Sequence, residues 1–439
     1  MTIRQRGHYT PPEVCRRGRF TRTTPLDIVP SVNPSQLTGS PDRCPPILRH
    51  DNKMAPHSVD VIVPVYNQFG VVKRCIDSVI ESAPFNRFDI IVVDDASSDL
   101  DLRNYLNATA KAGAITLFRN TSNIGFTGTV NFGMLLHPDR DVLLLNSDTA
   151  VHGSWLERLR AAAYSDPKVA TVNPLTNASH ISGYPFRDSN DGVVLEVNDD
   201  VLDDLAAENN AGKYVNVHTT VGFCMFIKRE CINSIGLFDV RKFPVGYGEE
   251  SDFCYRAKKV GWQHLIVGDV FVRHFENQSF GERKNMLMQE MIPKFVALHP
   301  EIVYYDDKFK KLDPLRSLRA GLDLARVKRL LAPRTVLEMH VVQNLDEAPV
   351  TKEPIVLLDC LQDNLVKLCV QNHNIFPNLE RYRLPRDMLR FNAAMRYLGI
   401  EKLLCRSASE LSIIDSQVVA MPMEAGLEPK LEVATVALS

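Results

Sequence analysis

Long apolar runs are missing from this chain. None approaches the roughly 18–20 residues that cross a bilayer, so no spanning helix is expected. The start from Met1 to His8 has no apolar stretch of the kind a secretory signal carries. Cysteine is sparse: the nine are scattered and odd in number, and none forms a CxxC pair. That argues against a structural zinc and against a disulfide framework, and fits a reducing cytosol. Excess charge is also missing. A net charge of −2 gives no electrostatic reason to expect nucleic acid. There is no GxGxxG turn, so a dinucleotide site of that kind is not supported.

What is present is an ordinary apolar fraction, 45% of 439 residues, enough for a large core and two or three domains. Residues 1–57 are rich in Pro, Arg, Ser and Thr without a period, and are expected to form a flexible arm. From Val59 onward, strand-like runs alternate with helical periods. Val59–Val63, Asp89–Val93, Ile115–Phe118 and Val142–Leu145 read as strands. Val71–Ile80, Leu102–Ala112 and Gly128–Leu136 read as helices. Further strands are expected at Val169–Thr171 and Cys224–Ile227, and helices at Trp155–Tyr164 and Ser251–Lys259. The alternation predicts an α/β domain with a mostly parallel central sheet over 58–300. Ligands of such sheets sit beyond the carboxyl ends of the strands. The polar stretch Ser182–Asn209 is expected to be a long loop or lid.

Residues 301–334 read as a linker with a basic amphipathic helix. Asp313 is its expected N-cap and Pro314 its first turn. The leucines Leu315, Leu318 and Leu322 would pack on the preceding domain, with an anionic membrane surface as the alternative. Residues 335–439 are expected to be a small α/β or mixed region, the remnant of a second domain or a docking unit. Its strand is placed at Pro354–Leu358, its helix at Arg386–Leu398, and a frayed end at Met421–Ser439.

Chemistry-bearing residues gather at the strand ends. Asp95 could accept from a base or a ribose, and Tyr66, just after Pro64, could stack on a base; ordinary turn chemistry is the competing reading. Asn123 and Gly125 stand in a loop before a helix, where an amide and a bare backbone could meet a nucleotide. After Leu143–Leu145, Asn146 and Asp148 fall on one side of the chain. Hard divalent ions take oxygen ligands and share them with phosphate, so Asp148 is the better ligand and Asn146 is a carbonyl donor or a ribose contact. Glu249, Glu250 and Asp252 put three acids in four positions after a glycine turn. One carboxylate there could serve as a general base, and mutual repulsion should raise a pKa. Asp252 could instead complement the helix dipole. A lone histidine such as His274 is more often structural, unless a metal lies beside it.

Taken in order, VIVPVYN, VVDDAS, NIGF, LLLNSDT, VGFCMFIKR, GYGEESDFCYR and VRHF resemble the inverting glycosyltransferases of family 2, over about Val59–Phe280. The nearest subgroup resembles bacterial rhamnosyltransferase-like and O-antigen enzymes. The resemblance implies a GT-A, Rossmann-like fold, a nucleotide-sugar donor and a divalent cation, Mg²⁺ or Mn²⁺. It places Pro64, Tyr66 and Asp95 against the nucleoside, and Asn146 and Asp148 at the DxD position with Asn as the departure. His274 matches a further metal ligand. Glu250 matches the base, with Glu249 as its rival, and Arg256 matches an arginine that steadies the acids or the diphosphate. Gly222 lies where close backbone approach to the donor sugar is useful. The implied reaction moves a sugar from a UDP- or dTDP-sugar to a saccharide or lipid-linked saccharide, in the cytoplasm or at the inner face of its membrane. The competing expectation is an inactive scaffold that binds nucleotide or partner proteins. A sugar nucleotidyltransferase would need a glycine-rich basic segment near the first strand, and none follows Val59.

Overall fold

The computed structural model describes residues 58–189, 193–275, 281–332, 337–342, 354–361, 365–371, 376–384 and 386–404. The expected arm over 1–57 and the expected frayed end at Met421–Ser439 lie outside these residues, as do positions 276–280.

The large sheet holds nine strands: β1 (Val59–Val65), β2 (Asp89–Asp94), β3 (Thr116–Arg119), β4 (Asp141–Leu145), β5 (Thr149–Ala150), β6 (Val169–Thr176), β7 (Tyr214–Val217), β8 (Cys224–Ile227) and β9 (Gln263–His274). Their order is β3-β2-β1-β4-β8-β6-β9-β5, with β7 also paired to β9. β1 to β4, β6 and β9 run in one direction, while β5, β7 and β8 run in the other. The mostly parallel α/β expectation is met, with β8 inserted against it.

Both faces of this sheet are covered, which is why its strands read as continuous apolar runs rather than as alternation. Val61, Val63 and Val65 point into one cluster with Val72, Cys75, Ile76 and Val79 of α1 (Phe69–Ser82). Leu102 and Leu106 of α2 (Leu100–Lys111) and Trp155 and Leu159 of α4 (Trp155–Ala163) join them. Ile62, Ile91 and Val93 point the other way. There they meet Val130 and Met134 of α3 (Phe126–Leu135), Ile232 of α6 (Arg229–Ile235), and Phe253 and Ala257 of α7 (Glu249–Lys259).

Two expectations are corrected. The stretch Ser182–Asn209 is not a loop throughout: Asp199–Asn209 forms a helix, α5, with Leu202 and Ala206 buried. Its acids conceal it in sequence, yet Asp199 and Asp200 occupy the first turn, where the dipole favours them. Asp203 reaches inward to accept from Phe271 N at 2.9 Å. The second correction concerns Asp313. It is left-handed (φ 43°) and closes α9 (Ile302–Leu312), which follows α8 (Gly281–Leu298). The next helix, α10 (Arg316–Leu331), starts after Leu315.

Helix α10 is a shared wall. Leu318 and Leu322 sit in a cluster with α5 and β9, and Val327 and Leu331 sit in the core of a second sheet. That sheet comprises β10 (Leu337–Val342), β11 (Val356–Cys360), β12 (Leu365–Val370), β13 (Arg381–Arg383) and β14 (Ile400–Leu404), in the order β13-β12-β11-β10-β14, with α11 (Met388–Leu398) against it. The helix is therefore packed, and its polar side is not wholly outward either. Arg319 and Arg326 are buried, the latter donating to Glu196 Oε1 at 2.8 Å and to the Tyr184 hydroxyl at 2.8 Å. No helix among the described residues is long and apolar enough to cross a membrane.

Candidate active site

The carboxyl end of β1 passes through Pro64 and the half-exposed ring of Tyr66 into two left-handed residues, Asn67 (φ 56°) and Gln68 (φ 65°). The side chain of Asn67 makes this turn possible. Its Oδ1 accepts from Ser98 N at 2.9 Å and Asp99 N at 3.2 Å, tying the turn to the loop after β2. Asp95 in that loop is buried. Its Oδ1 accepts from Asn120 Nδ2 at 2.8 Å and Ile124 N at 2.9 Å, and its Oδ2 from Gly125 N at 3.0 Å. Asp95 thus shapes the loop that presents Asn123 to solvent; its carboxylate is directed into that loop. Asn123 Oδ1 accepts from the same Gly125 N at 3.1 Å.

Gly125 is irreplaceable for two reasons. Its φ is +82°, and a Cβ there would lie 2.6 Å from the carbonyl oxygen of Pro244. This contact seats the loop of Asn123 directly on the loop that leads to the acidic cluster. Thr127 Oγ1 donates to Phe243 O, and Asn131 exchanges hydrogen bonds of 2.9 and 3.2 Å with the backbone of Phe238.

At the end of β4, Asn146 N donates to Phe223 O at 2.8 Å. Two residues on, Asp148 Oδ1 lies 3.3 Å from His274 Nε2. β5 and β9 bring them together, with Thr149 opposite His274 in register. The imidazole is fixed from three sides. Asn177 Oδ1 accepts from His274 N at 2.7 Å, Asn177 Nδ2 donates to His274 O at 2.9 Å, and the ring stacks on Phe223 with centroids 5.3 Å apart. Nδ1 faces the carbonyl of Ala178 at 3.3 Å. A carbonyl only accepts, so Nδ1 carries the proton, and in the neutral ring Nε2 turns a lone pair toward Asp148, whereas in the imidazolium it donates to that carboxylate. Two lone-pair donors facing each other suit a cation between them. Among the described residues no three His, Cys, Asp or Glu side chains gather to hold a metal by themselves. The donor set therefore fits a hard cation that takes its other ligands from phosphate and water.

Glu249 and Glu250 open α7. Gly248 precedes them at φ +135°, and a Cβ on it would strike the Phe243 ring at 2.8 Å. Burial pushes both carboxyls above the usual range. The charge of Glu250 raises Glu249 further, while a hydrogen bond from Glu249 and the Gly222 N–H hold Glu250 lower. Glu249 is thus raised the further of the two. Oε2 of each is shielded from solvent and lacks a hydrogen-bond partner among the described residues.

Asp252 is a brace. Its Oδ1 accepts from His299 Nε2 at 2.9 Å, and its Oδ2 from Arg256 Nε at 2.7 Å. Arg256 also donates to the carbonyls of Ile235 and Leu237, each at 2.8 Å. Of the two roles expected for Arg256, it fills that of steadying the acid-bearing helix. Its guanidinium is turned to the end of α6.

The segment Gly222–Phe223 joins the two halves of the site. Gly222 N–H is among the backbone groups that lower the Glu250 carboxyl, and Phe223 stacks on His274, which faces Asp148. Gly222 is buried, and a Cβ on it would meet nothing within 4 Å, so its use is its amide. Phe223, Asn177 and His299 escape a reading of the sequence. Phe223 looks like core, Asn177 like a turn, and His299 lies 47 residues from its partner Asp252.

Residues 60–236 match the model of the family described as Glycosyl transferase family 2. The match covers part of the α/β domain and supports sugar transfer as that domain's chemistry. An uncharacterized glycosyltransferase of Haemophilus influenzae is 28% identical over 23% of this chain and 31% of its own length. The glycosyltransferase AglE of Haloferax volcanii is 23% identical over 51% of this chain and 68% of its own. The chain thus spans about a third of the first of these relatives. A solved mannosyltransferase of Pyrobaculum calidifontis, in complex with GDP-Man and Mn²⁺, aligns over 66% of this chain and 81% of its own, with 17% identity and a TM-score of 0.42.

Proposed function

We propose that this chain is an inverting glycosyltransferase that moves a sugar from a UDP- or dTDP-sugar to a hydroxyl of a saccharide or lipid-linked saccharide, in the making of cell-surface polysaccharide. The observation that carries this reading is the segment Gly222–Phe223, with the shielded carboxyls of Glu249 and Glu250 at one end and the Asp148–His274 pair at the other.

Each residue then has a physical task. Tyr66 offers an exposed ring to a base, and Pro64, Asn123 and Gly125 frame the adjoining turn. Asp148 and His274 are the residues that would hold a divalent cation, with Asn146 beside them. When bound, that cation neutralises charge on the departing diphosphate. Glu250 accepts the proton of the acceptor hydroxyl, because burial raises its basicity while nearby backbone N–H groups limit that rise. Glu249 keeps its own proton and donates to Glu250. Asp252, His299 and Arg256 fix the first turn of α7, so that the base does not swing. Attack from the face opposite the leaving diphosphate inverts the anomeric centre through an oxocarbenium-like state.

A panel of UDP-, dTDP- and GDP-sugars with Mn²⁺ tests the reading, scored for nucleoside diphosphate release. Release should be lost in Asp148→Ala and Glu250→Gln. Nucleotide binding with no release from any donor would leave an inactive scaffold instead.

A further inference from the structure

Arg273 and Phe275 flank His274, and strand alternation sends them to the side it does not face. There they line a cavity of about 500 Å³ together with His152, Asn198, Asp199 and Asp200. Its remaining wall is apolar, from Val193, Val194, Leu195 and Val197. That volume lies within the range of small-molecule pockets and holds one or two sugar rings.

The wall is built rather than loose. Glu196 is clamped by the buried Arg326 of α10. α5, which begins at Asp199, is pinned by Asp203 to Phe271 N and to Arg158. The polar groups suit hydroxyls. Asp199 and Asp200 offer carboxylate acceptors, and Asn198 has an amide that both donates and accepts. His152 Nε2 is shielded from solvent without a hydrogen-bond partner among the described residues. The valines suit the C–H face of a pyranose, and the Phe275 ring, with the Arg74 guanidinium over it at 4.3 Å, closes that end of the wall. Arg273 Nη1 lies 3.7 Å from Asp199 Oδ1, so the guanidinium is already balanced. With Arg273 facing Asp199, Asp200 beside it and Arg74 over the Phe275 ring at 4.3 Å, the lining has no excess positive charge with which to hold a diphosphate.

We infer that this cavity is a second saccharide site, behind the end of β9. It takes one or two neutral pyranose rings of a glycan whose reacting hydroxyl lies elsewhere. The inference rests on the sugar-transfer reading for its ligand class, but its test does not need turnover.

The test is saturation-transfer NMR on the full chain, with methyl pyranosides and short disaccharides of glucose, galactose, mannose, rhamnose and N-acetylglucosamine as probes. At least one should bind, and binding should persist when UDP and Mn²⁺ are saturating. Asp199→Asn with Asp200→Asn should weaken it by about tenfold or more. Should that pair of changes disturb folding, Val194→Trp serves instead. Val194 is 78% exposed at the cavity, so a bulky ring there blocks entry without touching the core. No binding by any probe, displacement by UDP, or indifference to Val194→Trp overturns the site. Pyranoside binding without any donor turnover would sink the transferase reading and keep this site. Donor turnover without pyranoside binding would do the reverse.

Discussion

His274 Nε2 stands 3.3 Å from Asp148 Oδ1, and its other ring nitrogen is turned to the carbonyl of Ala178. The bonds from Asn177 fix the backbone at His274, while the Phe223 ring and the Ala178 carbonyl orient its imidazole. Such a pair is a preset half of a cation site. Removing either donor should weaken Mn²⁺ in the presence of UDP. Asn177→Ala should also cost about 10–100-fold in Mn²⁺ affinity, although Asn177 does not face the cation. Calorimetric titration of Mn²⁺ with UDP present reads this directly. Equal Mn²⁺ affinity in wild type and His274→Ala would remove His274 from the ligand set.

The two glutamates at the start of α7 should separate cleanly by amide substitution. Glu250→Gln removes the proposed base, and transfer should fall by about 10²–10⁴-fold. In Glu249→Gln the new amide can still donate to Glu250, so much of the rate should remain. The pH profile tells more. Burial raises Glu250, so activity should climb with pH through a range above that of an ordinary carboxylate. Loss of activity in Glu249→Gln, with full activity in Glu250→Gln, would exchange the two roles.

Much of this was legible in the sequence, for reasons that also explain the rest. The strands β1, β2 and β4 are buried on both faces, so their apolar runs stand out, and the residues at their ends announce themselves. Helix α5 was hidden because its acids mask its apolar period, and Asp203 is buried for a tertiary purpose no local pattern carries. Asp95 and Arg256 stood out as positions, but their partners within the chain were not legible. Each side chain of this kind is directed by a backbone group far along the chain: Gly125 N for Asp95, and Ile235 O and Leu237 O for Arg256. The fate of α10 was half visible. Its leucines predicted packing, but buried Arg319 and Arg326 require partners from other segments.

Gly125→Ala should couple the two loops' fates. The added methyl lies 2.6 Å from Pro244 O, and the backbone there is left-handed. Strain of this kind costs about 1–3 kcal/mol. Because the clash is with the loop before Glu249, the substitution should lower both thermal stability and nucleoside diphosphate release. Denaturation and turnover on one sample check it. A variant with normal stability and activity would show that the contact between the loops is not tight.

Asp323 gives the sharpest pH prediction. It sits between the Tyr184 hydroxyl, which donates to Oδ1 at 2.7 Å, and Asn378 N, which donates to Oδ2 at 2.8 Å, with Arg326 nearby. Burial nevertheless dominates and pushes its carboxyl up to about 6 from 3.8. A folded pKa above the unfolded one means that the protonated acid is favoured by folding. Its contribution is therefore complete below about pH 4 and is lost as pH rises through 6, by an amount on the order of 3 kcal/mol. Asp323→Asn is neutral throughout and keeps the acceptor toward Tyr184. The difference in stability between variant and wild type should shift in favour of the variant between pH 4 and 7, as urea denaturation at each pH would read. A constant difference across that range would mean that Asp323 ionises as readily folded as unfolded, and that Arg326 and Tyr184 fully offset its burial.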